Sequence, residues 1–378
     1  MIYIILLILG LIAFFSEISL IFAWIISYIK FKNIEISEYT PKVNIIVPCK
    51  GVDGTFDENI LSICNQDYID YKVIFVTDSK KDPAYKKLER LVGKRGNVKI
   101  VISELLEQCS GKISALITGI AHVDDTEVYV FADSDIKPHE KWLTYLISHL
   151  NEENIGASTG YRWYFPSDFR SLLLSAWNMI ESVSLFFQMS NYSWGGSTAI
   201  KKKLFDKLDI IEKWKNGFSD DLILTDTIKK SKYNIKFVPN CIVESPPEGD
   251  LAFIIRWGTR QLTWVRWYNP LWWYVSVIGS IGLKIITILG FIIISLGWFI
   301  PGLLMVSTIF LEMSVGGVAH LVSKHLMYYP ENRYKSSILY ALLMPAIFFI
   351  IAYNNLASIF INEIKWGGRT YKKRDVIK

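Results

Sequence analysis

The chain has 378 residues, enough for two or three domains, and a formal net charge of +5. Hydrophobic residues make up 51% of it and its mean hydropathy is +0.27; the apolar residues gather at the two ends, which argues against a wholly soluble enzyme and for a soluble domain held between membrane segments. No basic stripe marks the middle of the chain as a nucleic-acid surface, and Cys49, Cys64, Cys109 and Cys241 form no C-x-x-C pair, so neither a zinc site nor a disulfide framework is indicated.

Residues 1–29 form an apolar run long enough to span a bilayer. It lacks a basic start and is too long for a cleaved signal peptide. Lys30 and Lys32 follow at once; the positive-inside rule then puts the amino terminus outside and residue 33 onward in the cytosol. Glu17 lies mid-span and is read as facing a neighbouring helix.

Strands are expected at 43–49, 73–77, 98–102 and 128–132, each rich in β-branched or aromatic residues. Helices are expected from Glu58 to Asn65, from Pro83 with Asp82 as a possible N-cap, and from Gly111. This alternation implies a mostly parallel sheet with helices on both faces. The strand at 128–132 runs into an acidic turn, Asp133-Ser134-Asp135. Two carboxylates two positions apart at a strand end can converge on one hard cation, Mg²⁺ or Mn²⁺, that also binds a phosphate. The plainer alternative is an acidic turn that caps the next helix. Strand ends of open α/β sheets are also where ligands bind.

Further on, Trp142–Leu150 reads as a helix, 156–161 as a strand and Phe169–Met189 as a long apolar helix carrying Asn178 and Glu181. Trp194-Gly195-Gly196-Ser197 reads as a glycine turn before Thr198-Ala199-Ile200, and Asp220-Asp221 opens a helix to Lys230. Residues 251–273 are rich in Trp and Arg, a mark of the membrane–water interface. Three apolar stretches follow at about 274–299, 301–323 and 337–361, and then a basic tail. Three full spans put that tail outside, whereas its charge argues for inside. One apolar segment is therefore expected to be re-entrant or interfacial, the 271–299 stretch first.

Several stretches together resemble membrane-bound inverting glycosyltransferases of the A-type fold, and most closely the ceramide glucosyltransferase-like branch. They are PCKGVDGTFDENILSICNQDY, VIFVTDSKKDPAYKKL, GKISALITGI, FADSDI, GGSTAIKKKLF, SDDLILTDTI and RQLTW, which span residues 43–267 in the family's order. The resemblance implies an α/β nucleotide-diphospho-sugar transferase domain with a Rossmann-like mixed sheet, one N-terminal transmembrane helix and about three C-terminal ones. The expected division is an anchor at 1–32, a catalytic domain at 33–250, an interfacial segment at 251–273, transmembrane helices at 274–362 and a basic tail at 363–378. It also implies a multi-pass membrane enzyme with its catalytic domain on the cytosolic face. That enzyme moves a hexose such as glucose from a nucleotide diphosphate, UDP being the expected one, to a lipid hydroxyl with inversion. No nucleic acid is involved.

Residue by residue, Asp82 takes the place of the family's first aspartate near the base, with Asp78 as a second candidate. Asp133 matches the acidic turn, and Asp135 completes it as a metal ligand for Mn²⁺ or Mg²⁺. Asp221 matches the catalytic base of the family's E-D pair, and Asp220 replaces its Glu. Lys50 and Lys112 join the donor-binding residues, Lys112 behind Gly111 at a helix start that favours an anion. Arg260 and Trp264 match the ends of the (Q/R)-x-x-R-W motif, but its fourth position is Thr263; Arg260 or Arg266 would have to supply the missing charge. Plainer readings exist: helix capping for Asp220-Asp221, an exposed lysine for Lys112, a tight turn for the glycines. Alternative functions are a processive polysaccharide synthase, a polyprenyl-phosphate sugar synthase and an inactive membrane scaffold. Glu312 and His320 fall within an apolar span and are read as packing or acceptor-site residues.

Overall fold

A computed structural model describes residues 1–246 and 250–376; 247–249 and 377–378, at the edges of the expected catalytic domain and basic tail, lie outside the described residues. Helix α1 (Ile2–Phe31) opens the chain. There follow β1 (Val43–Cys49), α2 (Phe56–Cys64), β2 (Tyr71–Thr77), α3 (Pro83–Val92), β3 (Val98–Ile102), α4 (Gly111–Ala121), β4 (Val128–Ala132) and α5 (Trp142–Ser148). Next come β5 (Ile155–Tyr164), α6 (Phe169–Glu181), β6 (Ser197–Lys201), α7 (Lys202–Lys207), α8 (Ile210–Lys215), α9 (Asp220–Lys230) and β7 (Asn234–Ser245). The rest is α10 (Leu251–Tyr268), α11 (Pro270–Ser295), α12 (Phe299–Val306), α13 (Thr308–Leu326), α14 (Ser337–Phe360) and a hairpin of β8 (Glu363–Trp366) and β9 (Arg369–Lys372). These elements form two compact units.

The first unit comprises residues 34–163, 184–246 and the C-terminal 363–378. Its sheet has seven strands in the order β3-β2-β1-β4-β6-β5-β7. β3, β2, β1 and β4 are parallel, and β6 runs antiparallel to both β4 and β5. The sheet is thus mixed: only its first half follows the strand–helix alternation legible in sequence. The central strands are covered on both faces, which is why β4 and, apart from Asn44, β1 read as apolar runs. No element was expected over 234–245, where β7 lies and carries Pro239. The strand order puts β7 at an edge, where a missing amide is tolerated. On one face α4 seats closely on the sheet: a Cβ at Gly119 would lie 2.5 Å from Ile46. All four cysteines are buried and unbridged.

The second unit is helical: α1, α6 and α10 to α14. The apolar helix expected over 169–189 stops at Glu181 and tightens into a 3₁₀ turn, Ser182–Phe186. Among the described residues, four helical stretches are long and apolar enough to cross a membrane: Ile2–Phe31, Pro270–Ser295, Phe299–Leu326 and Ser337–Phe360. α1 runs parallel to α12–α13, since Tyr3 meets Trp298, Gly10 faces Pro301 and Leu304, and Tyr28 meets His325. α11 runs antiparallel to them: Gly290 faces Gly302, Thr287 bonds Thr308 at 2.9 Å, and Lys284 pairs with Glu312. α14 behaves differently. Ser337 at its start bonds His320 at 2.8 Å, and Ser358 at its end bonds Trp273 at 3.0 Å. At a rise of about 1.5 Å per residue, its start lies about 12 Å and its end about 17 Å to the same side of the Lys284–Glu312 pair. Both ends of α14 therefore lie toward one end of the bundle. The 271–299 stretch, the first candidate for a non-crossing segment, forms the continuous helix α11, whose second half pairs with α12 and the start of α13 and whose first half bonds α14.

Candidate active site

The carboxyl ends of β1, β2 and β4 lie side by side in the sheet, and five of the expected donor-site residues, Lys50, Asp78, Asp82, Lys112 and Asp133, gather on that edge. Lys50 follows β1 and pairs with Asp78, just past β2, at 2.6 Å. Asp82 is the N-cap of α3: one of its oxygens accepts from the Ala84 amide at 2.8 Å and from the Gly51 amide at 2.9 Å. It ties the turn after β1 to the helix after β2.

Beside this cluster, α4 begins at Gly111 with Ser110 as N-cap. Its Lys112 reaches Asp133, at the end of β4, at 2.7 Å and Asp220, at the start of α9, at 3.2 Å. Asp220 is buried and Asp133 half-buried. One lysine thus joins two of the acids named from sequence. Burial by itself lowers an ammonium pKa; here Asp133, Asp220 and Asp221 outweigh it and hold Lys112 above its ordinary value. Burial pushes the Asp220 carboxyl up, against the pull of Lys112, to about 6. Burial acts the same way on Asp133, but Lys112 and then Arg162 overcome it and hold Asp133 low.

The glycines shape this cluster by close approach. A Cβ at Gly195 would lie 2.3 Å from an Asp220 oxygen and 2.9 Å from Lys112 Nζ. At Gly196 it would lie 2.8 Å from an Asp133 oxygen and 2.4 Å from the Trp194 ring. Any side chain there would displace the charged groups, which a simple tight turn does not require.

Asp221 is half-exposed, and its Oδ1 accepts from the Ser219 hydroxyl and, at 2.8 Å, from the Leu222 amide. The two neighbours thus differ: Asp220 faces Lys112, and Asp221 holds a fixed orientation at the helix start.

With the acids, the lysine and the glycine turn assembled on one sheet edge, the matches to known proteins can be placed. The profile described as Glycosyl transferase family 21 matches residues 5–376. The chain belongs to glycosyl transferase family 21. It is 24% identical over 240 residues to "Probable glycosyltransferase YdaM" of Bacillus subtilis (strain 168), covering 60% of this chain and 55% of that one; the chain thus spans about half the length of that relative. Among solved structures it is similar to a mannosyltransferase, PcManGT from Pyrobaculum calidifontis in complex with GDP-Man and Mn²⁺. That similarity has a TM-score of 0.49 and 17% identity over 93% of this chain and 99% of the other. It is also similar to GalNAc-T7 with UDP, GalNAc and Mn²⁺, with a TM-score of 0.41 and 12% identity over 56% of this chain and 44% of the other.

The chemistry of Asp133 and Asp135 in this family 21 protein fits a divalent cation. Both come from one turn. Surrounding protein and then the charge of Asp133 push the Asp135 carboxyl up, although its side chain is exposed. That is the mutual repulsion a cation relieves. No cluster of three or more His, Cys, Asp or Glu encloses an ion among the described residues, so these two would hold it with phosphate and water completing the shell.

The (Q/R)-x-x-R-W stretch lies on α10, in the helical unit. Thr263 is fully buried and donates to the Thr259 carbonyl at 2.7 Å. Arg266 is committed to the last carbonyls of α14, Ile359 and Ile361. It is a helix cap, which removes it as a substitute for the missing arginine. Arg260 and Trp264 are both half-exposed; Trp264 packs edge-on against Trp267 with centroids 5.3 Å apart.

Arg162 on β5 was missed. Its guanidinium lies over the Trp194 ring at 4.7 Å and lends positive charge to both Asp133 and Asp135. Its only signal in sequence is an arginine among aromatics, Tyr161-Arg162-Trp163.

Proposed function

We propose that this family 21 protein transfers a hexose, in the first reading glucose, from a nucleotide diphosphate donor, in the first reading UDP-linked, to the hydroxyl of a membrane lipid. The transfer inverts the anomeric carbon, as in the ceramide glucosyltransferases its sequence resembles. The observation that carries the reading is Lys112 held between Asp133 and Asp220, with Asp221 next in the chain.

In an inverting displacement the acceptor oxygen forms its bond to the anomeric carbon as the bond to the diphosphate breaks. The diphosphate leaves with the electron pair, and the hydroxyl proton passes to a base. Asp221 is that base: Ser219 and the Leu222 amide orient its carboxylate, and a positioned base contributes about 10²–10⁴-fold. Lys112 and the first amides of α4 receive the charge that builds on the leaving group. Arg162 takes the part of the arginine absent at position 263. Lys50, Asp78 and Asp82 hold the nucleoside end of the donor, and Arg260 and Trp264 remain donor-side candidates. A Mn²⁺ or Mg²⁺ ion held by Asp133 and Asp135 supplies further charge stabilisation to the diphosphate when bound.

The sheet unit is proposed to lie on the cytosolic face, where Lys30 in the last turn of α1 and Lys32 at its cap supply the positive charge. α1, α11 and α12–α13 cross the bilayer, and α14 enters it and returns to the same side, its Phe349 reaching Lys284. Two observations support this. The C-terminal 363–378 belongs to the sheet unit, so the chain crosses an even number of times between Pro246 and Glu363, and both ends of α14 point one way. Cysteines placed at Lys80 and Lys373 should both escape an impermeant thiol reagent in intact cells; labelling of Lys373 alone would return α14 to a full span.

The function is tested with purified protein in detergent, a panel of nucleotide sugars and extracted native lipids, with product read by mass. Absence of any glycosylated lipid across the panel would reject it.

A further inference from the structure

The C-terminal 363–378, expected only as a basic tail, contains a built element. β8 and β9 are joined by Gly367 and Gly368, with φ of 57° and 77°. Two successive residues at positive φ make the tight turn that matches strand twist, and glycine adopts it without strain. Glu363 and Lys372 pair across the strands at 3.2 Å.

This hairpin rests on the segment that leads into α4. Arg369 donates to the carbonyls of Leu106 at 3.4 Å and Cys109 at 3.2 Å. Its guanidinium lies 3.8 Å from where a Cβ of Gly111 would be. Tyr371 is buried, its hydroxyl accepts from the Gly111 amide, and its ring packs on Phe218 with centroids 5.1 Å apart. Lys50 donates to the Gly367 carbonyl at 3.1 Å while pairing with Asp78. The hairpin therefore grips both flanks of the donor edge: the residues before Lys112 on one side and Lys50 on the other.

We propose that the Glu363–Lys372 hairpin is a positioning element of the donor site, with Arg369 fixing the start of α4 and so Lys112, and with Gly367 fixing Lys50. The inference rests on the donor-site reading above. The carbonyls of residues 106 and 109 belong to a segment with no regular structure, and a guanidinium bonding both holds it in one arrangement. Without that bond, more of the donor's binding energy goes into ordering the segment, so affinity falls while the bound complex still reacts.

The test uses the full chain in detergent, with UDP and GDP as probes in calorimetric titration and donor kinetics wherever turnover is found. Arg369→Ala should weaken binding of the nucleotide that the wild type prefers, and raise donor KM, by about ten-fold, with kcat changed less than three-fold. Arg369→Lys, which can keep one of the two carbonyl bonds, should recover part of the loss, and the melting temperature should stay within a few degrees of wild type. If the wild type binds neither nucleotide, the donor-site reading itself fails. If it binds and Arg369→Ala binds equally well, the hairpin proposal is overturned. Should Arg369→Ala not fold, Gly367→Val, which opposes the positive φ but leaves Arg369 in place, carries the same expectation. An unchanged affinity in that variant overturns the proposal as well.

Discussion

Two lysines, Lys112 in the sheet unit and Lys284 in the helical unit, are largely withdrawn from water, with side chains 14% and 5% exposed. Each meets an excess of acid. Lys112 meets Asp133 and Asp220, with the charge of Asp221 close by. Lys284 pairs with Glu312, lies 4.5 Å from the Phe349 ring centroid, and is near enough to Glu17 for their charges to interact. What separates them is access. Glu17 and Glu312 are fully buried, so no ligand reaches that excess, whereas Asp133 and Asp221 are half-exposed and Asp135 is exposed. Negative charge left partly uncompensated at an open sheet edge is a place for a cation and a phosphate. Sealed between α1, α11 and α13, a similar excess works as a tie between helices.

The largest effect expected from this contrast is loss of turnover on chelation. EDTA should abolish sugar transfer, and Mn²⁺ or Mg²⁺ should restore it, because Asp133 and Asp135 share one turn. Full activity in chelator would leave Lys112 and Arg162 as the diphosphate's cations and remove the metal. Asp221→Asn should come next. The amide keeps size and helix capping but cannot take the proton, so turnover should fall on the order of 10² or more with donor affinity held. Asp220→Asn should be milder, and Asp133→Asn should weaken donor binding instead. A dead Asp220→Asn beside a near-normal Asp221→Asn would exchange their roles.

Lys284 should respond in stability, not in chemistry. Lys284→Met leaves Glu312 buried and unpaired, which costs about 3–5 kcal/mol, and adding Glu312→Leu should return most of it. Thermal unfolding in detergent measures both variants. Turnover per folded molecule should stay near wild type, and a large loss there would erase the distinction between the two lysines.

The sequence carried the acids because their chemistry is local: a strand followed by D-S-D, or a helix opened by D-D, needs no partner to be noticed. It did not carry Arg162, whose role depends on β5 lying two strands from β4 through the antiparallel β6. Nor did it carry the hairpin, whose partners Leu106 and Cys109 lie more than 250 positions away. α14 is long and apolar enough to cross a membrane, but length and apolarity measure what a helix can cross, not which way it points. β7, over which no element was expected, carries Pro239, which its edge position tolerates.

The smallest expected effect is a pH dependence that should set the two lysine sites apart. Asp220 is pushed up to about 6 by burial first, and by Asp221 and Asp133 against Lys112. Below that pH the carboxyl holds its proton, and Lys112 loses one of its two partners. Donor kcat/KM should therefore fall several-fold as pH drops through about 6 and level off below it, at the level of the neutral Asp220→Asn. Stability follows the opposite sign for this group. The native state keeps the proton up to about pH 6, while the unfolded chain releases it near 4, so the group's contribution declines as pH rises between them. In Asp220→Asn the inflection in kcat/KM should vanish; in Lys284→Met it should remain, because the charges that act on Lys112 are those of Asp133, Asp220 and Asp221. If the inflection survives in Asp220→Asn, another group controls the profile and Asp220 does not tune the donor edge. If Lys284→Met removes it, the two lysines are coupled and the comparison between an open site and a sealed tie no longer holds.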